Sequence, residues 1–158
     1  MSRRKSPSTA EPDADTERDD FQGARALTRK QVLDMIKRKE SLVEADLRGC
    51  DLSAIVFDGV DLSYAKFAES NLSRSTFRGS TLIGASFFSA NLKDASFEEA
   101  NLEEADFDYA NLDGVVLRGA KVRKAMFPYR RVSAEAVREA VRTGKRLTME
   151  TAPPEDDD

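Results

Sequence analysis

The chain has 158 residues, of which 40% are apolar and 34% charged, a balance that fits one soluble globular domain. With no histidine, no tryptophan and one cysteine, it excludes a Ser-His-acid triad, an imidazole metal site, an internal disulfide and a thiolate cluster. The net charge of -4 suits solubility and gives no general nucleic-acid footprint, so no direct nucleic-acid contact is expected.

Residues 1–26 are rich in Ser, Pro, Thr, Asp and Glu and lack the apolar content that offsets ordering entropy, so a disordered N-terminal tail is expected. Arg3, Arg4 and Lys5 are not followed by the apolar run of a secretory signal. No stretch approaches 18 apolar residues. A cytoplasmic location without membrane contact is the resulting expectation. Residues 27–41 read as an N-terminal capping helix. Thr28 and Gln31 have capping-box spacing, and Leu27 and Val32 form a staple. Val32, Met35 and Ile36 share a face, and Lys37, Arg38 and Lys39 complement the negative end of the helix dipole.

Residues 42–130 repeat every five positions. From Leu42 through Leu47, Leu52, Phe57 and onward to Val122 and Phe127, eighteen consecutive positions in register are large and apolar. Two residues earlier runs a column of mostly small residues, among them Ala45, Cys50, Ser70, Ser75, Ser80, Ala90 and Ala100, with Asp or Asn commonly between the two columns. A helix would spread positions five apart around its axis, and one long strand would send alternate members to opposite faces. A chain that turns a corner every five residues brings all of them to one axis. Gly49, Gly59, Gly79, Gly84, Gly114 and Gly119 all fall two residues after a large position, where a turn can require φ > 0. Ile55, Val60 and Val115 are large for the small column, so widened coils or displaced side chains are expected there. Cys50 in that column reads as a buried small hydrophobe.

Units such as Ala90-Asn91-Leu92-Lys93-Asp94 and Ala100-Asn101-Leu102-Glu103-Glu104 resemble the pentapeptide-repeat family. The resemblance implies an all-β solenoid, a right-handed quadrilateral β-helix with four pentapeptides per coil and here about four and a half coils. On four sides the large residues sort into alternating leucine and phenylalanine stacks, for example Leu52, Leu72, Leu92 and Leu112 beside Phe57, Phe77 and Phe97.

Residues 131–147 read as a C-terminal helix, with Ser133 as N-cap, Val137, Ala140 and Val141 as the apolar face and Gly144 as terminator. It either caps the last coil of a monomer or joins a homodimer through the C-terminal end. Residues 148–158 read as a disordered acidic tail.

No catalytic set, cofactor site or metal site emerges, since the carboxylates lie scattered over a convex exterior. The expected function is a non-enzymatic protein-interaction scaffold, bacterial and cytoplasmic, with an unidentified protein partner. Two surfaces are candidates for that contact. One is the apolar set Tyr64, Ile83, Phe88 and Tyr109 at outward positions; the other is the acidic set Glu98, Glu99, Glu103 and Glu104. The alternative implied by the resemblance is DNA mimicry, with binding and protection of a topoisomerase such as gyrase. Against it stand the short repeat, the modest charge and the basic stretch Arg118, Lys121, Arg123, Lys124, Arg130 and Arg131.

Overall fold

Each large residue opens a turn. Its carbonyl accepts from the N–H three residues on, as at Leu62 O from Ala65 N–H (3.0 Å) and Phe77 O from Ser80 N–H (3.1 Å). The second residue after the large one has φ > 0 at every corner from Glu44 to Lys124, seventeen in all. Only six of these are glycine. The left-handed corner is therefore a requirement of the coil, met by glycine where it occurs and imposed on residues such as Ala54, Arg74 and Glu104 elsewhere.

The computed structural model describes residues 26–128 and 130–151. The expected N-terminal tail, apart from Ala26, and most of the expected acidic tail lie outside the described residues. Parallel bridges join positions twenty apart, from Asp46↔Lys66 to Asp106↔Met126. With a corner every five residues, twenty per coil makes four sides. Each side contributes one isolated bridge rather than a strand, because a corner interrupts the ladder before a second bridge can form. The only regular elements among the described residues are two helices, α1 (Arg29–Arg38) and α2 (Ala134–Thr143). The all-β expectation holds as ladder chemistry but not as strands of ordinary length.

The interior is filled by the repeating columns. Leu42 through Phe107 at five-residue steps are completely buried. Phe57, Phe77 and Phe97 stack face to face at 4.8–4.9 Å, and Phe67, Phe87, Phe107 and Phe127 do so at 4.8–5.2 Å. Neighbouring stacks meet edge-on, as at Phe77–Phe87 (6.0 Å), which suits the ring quadrupole. Face-to-face spacing follows the rise between hydrogen-bonded chains. Ser70, Ser75 and Ser80 enter the core because each hydroxyl donates to the carbonyl three residues back, at 2.7–2.8 Å. Ile55 and Val115 are buried and the ladder continues past both, whereas Val60 is partly exposed.

The first coil is closed by α1. Thr28 and Gln31 form the reciprocal capping box, and Lys39 ends the helix at φ 59°. Leu27, twenty residues before Leu47, donates its N–H to Asp46 O at 2.7 Å, the bond that Leu47 makes to Lys66 O one coil later. Val32, twenty before Leu52, is fully buried. The Arg29 guanidinium donates to both Asp51 O and Ser53 O at 3.0 Å, which in later coils accept from backbone N–H groups.

The last coil is closed differently. The C-terminal helix is α2 alone, shorter than the expected span 131–147, and ends at Gly144 with φ 83°. Residues 144–150 return antiparallel along the coil edge. Gly114 N–H donates to Leu147 O (2.8 Å), and Leu147 N–H donates to Val115 O (2.9 Å). Leu112 N–H meets Met149 Sδ at 3.1 Å, and Leu147 is buried. The segment is extended because the coil edge offers it a ladder that a further helical turn cannot use. Residues 148–150, expected in the tail, belong to this cap.

Candidate protein-interaction surface

Because corners point outward, side chains at the two corner positions form vertical columns twenty residues apart. Phe88 and Tyr109 occupy neighbouring columns of one edge, and their rings meet edge-to-face at 5.3 Å. Tyr109 is 78% exposed and Phe88 41%. Tyr64 lies on the adjacent edge, its ring spread over Gly84, where an added Cβ would collide with it at 2.5 Å. Gly84 thus serves both the left-handed corner and the seat of an exposed ring. Ile83 is half-buried at that same edge, and its carbonyl accepts from Tyr64 N–H. The four apolar positions therefore make two pairs on adjacent edges.

The acidic set is not a uniform negative surface. Glu98 sits between Arg78 (3.8 Å) and Arg118 (4.0 Å) in a column that begins with Asp58, so the signs alternate coil by coil. Glu103 pairs with Arg123 at 3.2 Å. Glu99 and Glu104 are exposed at left-handed corners. These pairs are solvent-exposed and individually weak, but they cancel the local field. The alternation is readable from the twenty-residue spacing once four sides are adopted.

Cys50 is half-buried rather than buried, because it lies in the first coil and has no coil beneath it. Burial, then the charge of Asp51, pushes its thiol pKa up, which favours the protonated form over the thiolate. Concavities lined by described residues flank the column. One of about 590 Å³ lies between the α1 exit (Ile36, Lys39, Leu42, Val43) and the first-coil segment Asp58–Asp61. Another of about 450 Å³ lies beside Tyr109, with Lys93, Asp113, Arg131 and Met149 in its wall. No group of three or more Cys, Asp or Glu among the described residues is arranged to hold a metal ion. No helix among the described residues is long and apolar enough to cross a membrane.

Exposed Val43, Val56 and Met126 escape a reading based on the repeat, since they stand where Asp, Asn or Lys could serve equally. For Val56 the signal is its place between Ile55 and Phe57, an apolar residue where most units have a polar one.

Residues 39–107 match the family model described as a pentapeptide repeat region. The pentapeptide repeat protein Rfr23 of the cyanobacterium Cyanothece 51142 is 29% identical, with 66% of this chain and 67% of that one covered and a TM-score of 0.54. A pentapeptide repeat protein of the Arabidopsis thaliana thylakoid lumen is 31% identical over 63% of this chain and 85% of its own, with a TM-score of 0.46. One from Nostoc PCC 7120 shares the fold at 22% identity, covering 75% and 97% with a TM-score of 0.55. No curated protein matches the chain. The five-residue corner, the twenty-residue ladder and the matched sequence together make this chain a member of the pentapeptide-repeat family.

Proposed function

We propose that the protein is a non-enzymatic scaffold whose right-handed coil presents the Phe88–Tyr109 edge to a protein partner in the cytoplasm. The carrying observation is the contact between two exposed aromatic rings on a column whose interior is already filled by its own side chains. Such rings offer large apolar area at low entropic cost to a partner. Tyr64 and Ile83 extend the edge around one corner. DNA mimicry has less support, because a phosphate-like surface needs unpaired negative charge and the Asp58–Arg78–Glu98–Arg118 column alternates in sign. A monomer is the favoured state. The return segment and α2 already cover part of the edge of the last coil that an end-to-end dimer would use.

The test is comparative capture on immobilised protein. The double variant Phe88→Ser/Tyr109→Ser is expected to keep the wild-type unfolding midpoint and to lose proteins that wild type and an Arg74→Ser control both retain. A sharp fall in midpoint with retention unchanged would assign the two rings to the fold. A gyrase supercoiling assay with and without a fluoroquinolone separates the alternative.

A further inference from the structure

The two aromatic pairs border one and the same side of the coil. From the corner at Ile83 and Gly84 the chain runs through Ala85, Ser86 and Phe87 to the next corner at Phe88. Ala85 and Phe87 are buried and Ser86 is half-exposed. The Tyr64 ring, rooted one coil earlier, reaches up to this level, since its Cε1 and Cδ1 lie 2.5 and 2.7 Å from where a Cβ on Gly84 would stand. At the far end Phe88 is braced by the Tyr109 ring at 5.3 Å. Gly84 and Phe88 are four residues apart, at most about 13 Å at the extended rise of a chain. A small residue, Ser86, therefore floors a narrow side with an exposed ring at each flank.

The backbone of this side is already engaged within the column. Ser86 N–H donates to Ala65 O (3.0 Å), and Ser86 O accepts from Phe67 N–H (2.7 Å). Lys66 and Asp106, bridged to Ser86 from the coils on either side, make the same two bonds at 2.7–2.9 Å. A partner strand would have to displace these bonds, so recognition here falls to side chains. A helix read by its face is the mode that uses side chains alone. With its side chains a helix measures about 10–12 Å across, which the two flanks admit, and its turn of about 5.4 Å is close to the step of roughly 4.8 Å between coils. Laid along the column axis, successive turns of such a helix meet Lys66, Ser86 and Asp106 in order.

Charge sets the sign of the partner. At the Lys66 level the side is balanced, with Glu69 at the corner beside Lys66 and Arg48 bound to Asp46 (2.7 Å) below. One coil above Ser86 it is acidic: Glu104, Asp106 and Asp108 lie along a single side, and Lys124 at the corner of the next coil offsets only one of them. We propose that the side between Tyr64 and Phe88 seats a basic amphipathic helix of the partner protein. A small apolar residue lies over Ser86 between the rings, and Lys or Arg one turn further on meets Glu104, Asp106 and Asp108. The inference rests on the Phe88–Tyr109 edge being the partner surface, and adds the secondary structure and charge of what binds there. A second copy of this chain is a poorer occupant, because α1 and α2 already bury Val32, Val137 and Ala140 in their own column.

Peptide display on the immobilised full chain tests this. The probe is a library of peptides about 16 residues long, half in an uncharged helix-forming Ala/Gln frame and half in a flexible Gly/Ser frame, each randomised at positions i, i+3, i+4 and i+7. Enrichment is expected from the Ala/Gln half, as a small apolar residue with Lys or Arg one turn away. By fluorescence anisotropy, an enriched peptide should bind Ser86→Arg and Tyr64→Ser at least about tenfold more weakly than wild type, and Arg74→Ser equally well. Glu104→Gln/Asp106→Asn/Asp108→Asn should weaken it about as much as 0.5 M salt weakens wild type. An amide at position 106 can keep the bond to the N–H of residue 108, as Asn91 does to Lys93 N–H (3.1 Å). Enrichment from the Gly/Ser half, no enrichment over bare support, or affinity unmoved by Ser86→Arg overturns the proposal. Loss on Phe88→Ser/Tyr109→Ser with Ser86→Arg and Tyr64→Ser unchanged keeps the partner edge and removes the helix seat; indifference to all of them removes both. Unchanged unfolding midpoints show that the variants remain folded, and Ser86→Gln replaces Ser86→Arg if the arginine lowers the midpoint.

Discussion

The middle of the column and its C-terminal end are built from the same unit yet held in different ways. Phe87 has a ring stacked on each side, at 4.8 and 5.0 Å, and is completely buried. Phe127 has one stacked neighbour, at 5.2 Å, and is partly exposed. A coil in a solenoid is stabilised by its two neighbours, so the same side chain contributes differently by position. The ends therefore need devices the repeat does not contain. At one end these are α1 and the Arg29 guanidinium; at the other they are α2 and the return segment.

The largest effect that sharpens this comparison is Phe87→Ala, expected to cost about 3–5 kcal/mol in denaturant unfolding because the cavity has stacked walls above and below. Phe127→Ala should cost less than half as much. Equal losses would show that the column unfolds without regard to position. Next is Arg29→Ala, which strips two first-coil carbonyls of their donor and should cost about 1–2 kcal/mol, with faster exchange confined to the first coil. A uniform rise in exchange along the chain would break the idea of a local cap.

The smallest effect is electrostatic. Asp46 donates no proton to its neighbours but accepts from Arg48 Nε and Nη2, both at 2.7 Å, and these bonds hold its carboxyl below the usual carboxylate range despite some burial. A lowered folded pKa means the contribution is present above the unfolded pKa and is lost as pH falls through the folded one. Asp46→Asn should therefore flatten the acid limb of the stability curve, by less than about 0.5 kcal/mol because Arg48 is solvent-exposed. A variant curve parallel to wild type through that limb would remove the pair from the balance of the N-terminal end.

The inward columns were legible from residue spacing, since burial is the one demand that repeats every five residues. So was the N-terminal start, because Thr28, Gln31, Leu27 and Val32 act within a single turn. The Arg29 contacts were not legible: they span more than twenty positions, and nothing local distinguishes that arginine from Lys30. The return segment escaped for a similar reason. Leu147 is one apolar residue in a polar stretch, and its partner is a coil edge that exists only in three dimensions. Of the candidate surface, the Phe88–Tyr109 contact follows from four-sided spacing. The charge balance around Glu98 and Glu103 requires the columns above and below, which a reading along one coil does not compare.

The twenty-residue register has a consequence for how such a chain can change length. Inserting one pentapeptide leaves every inward residue inward, but turns all that follows through a quarter revolution and sets leucine stacks on phenylalanine stacks. Inserting two restores like upon like and carries the downstream surface to the opposite side of the axis. Only a gain of four returns each exterior column to its own line. The interior thus accepts growth in tens, while an alignment of surface features survives only growth in twenties.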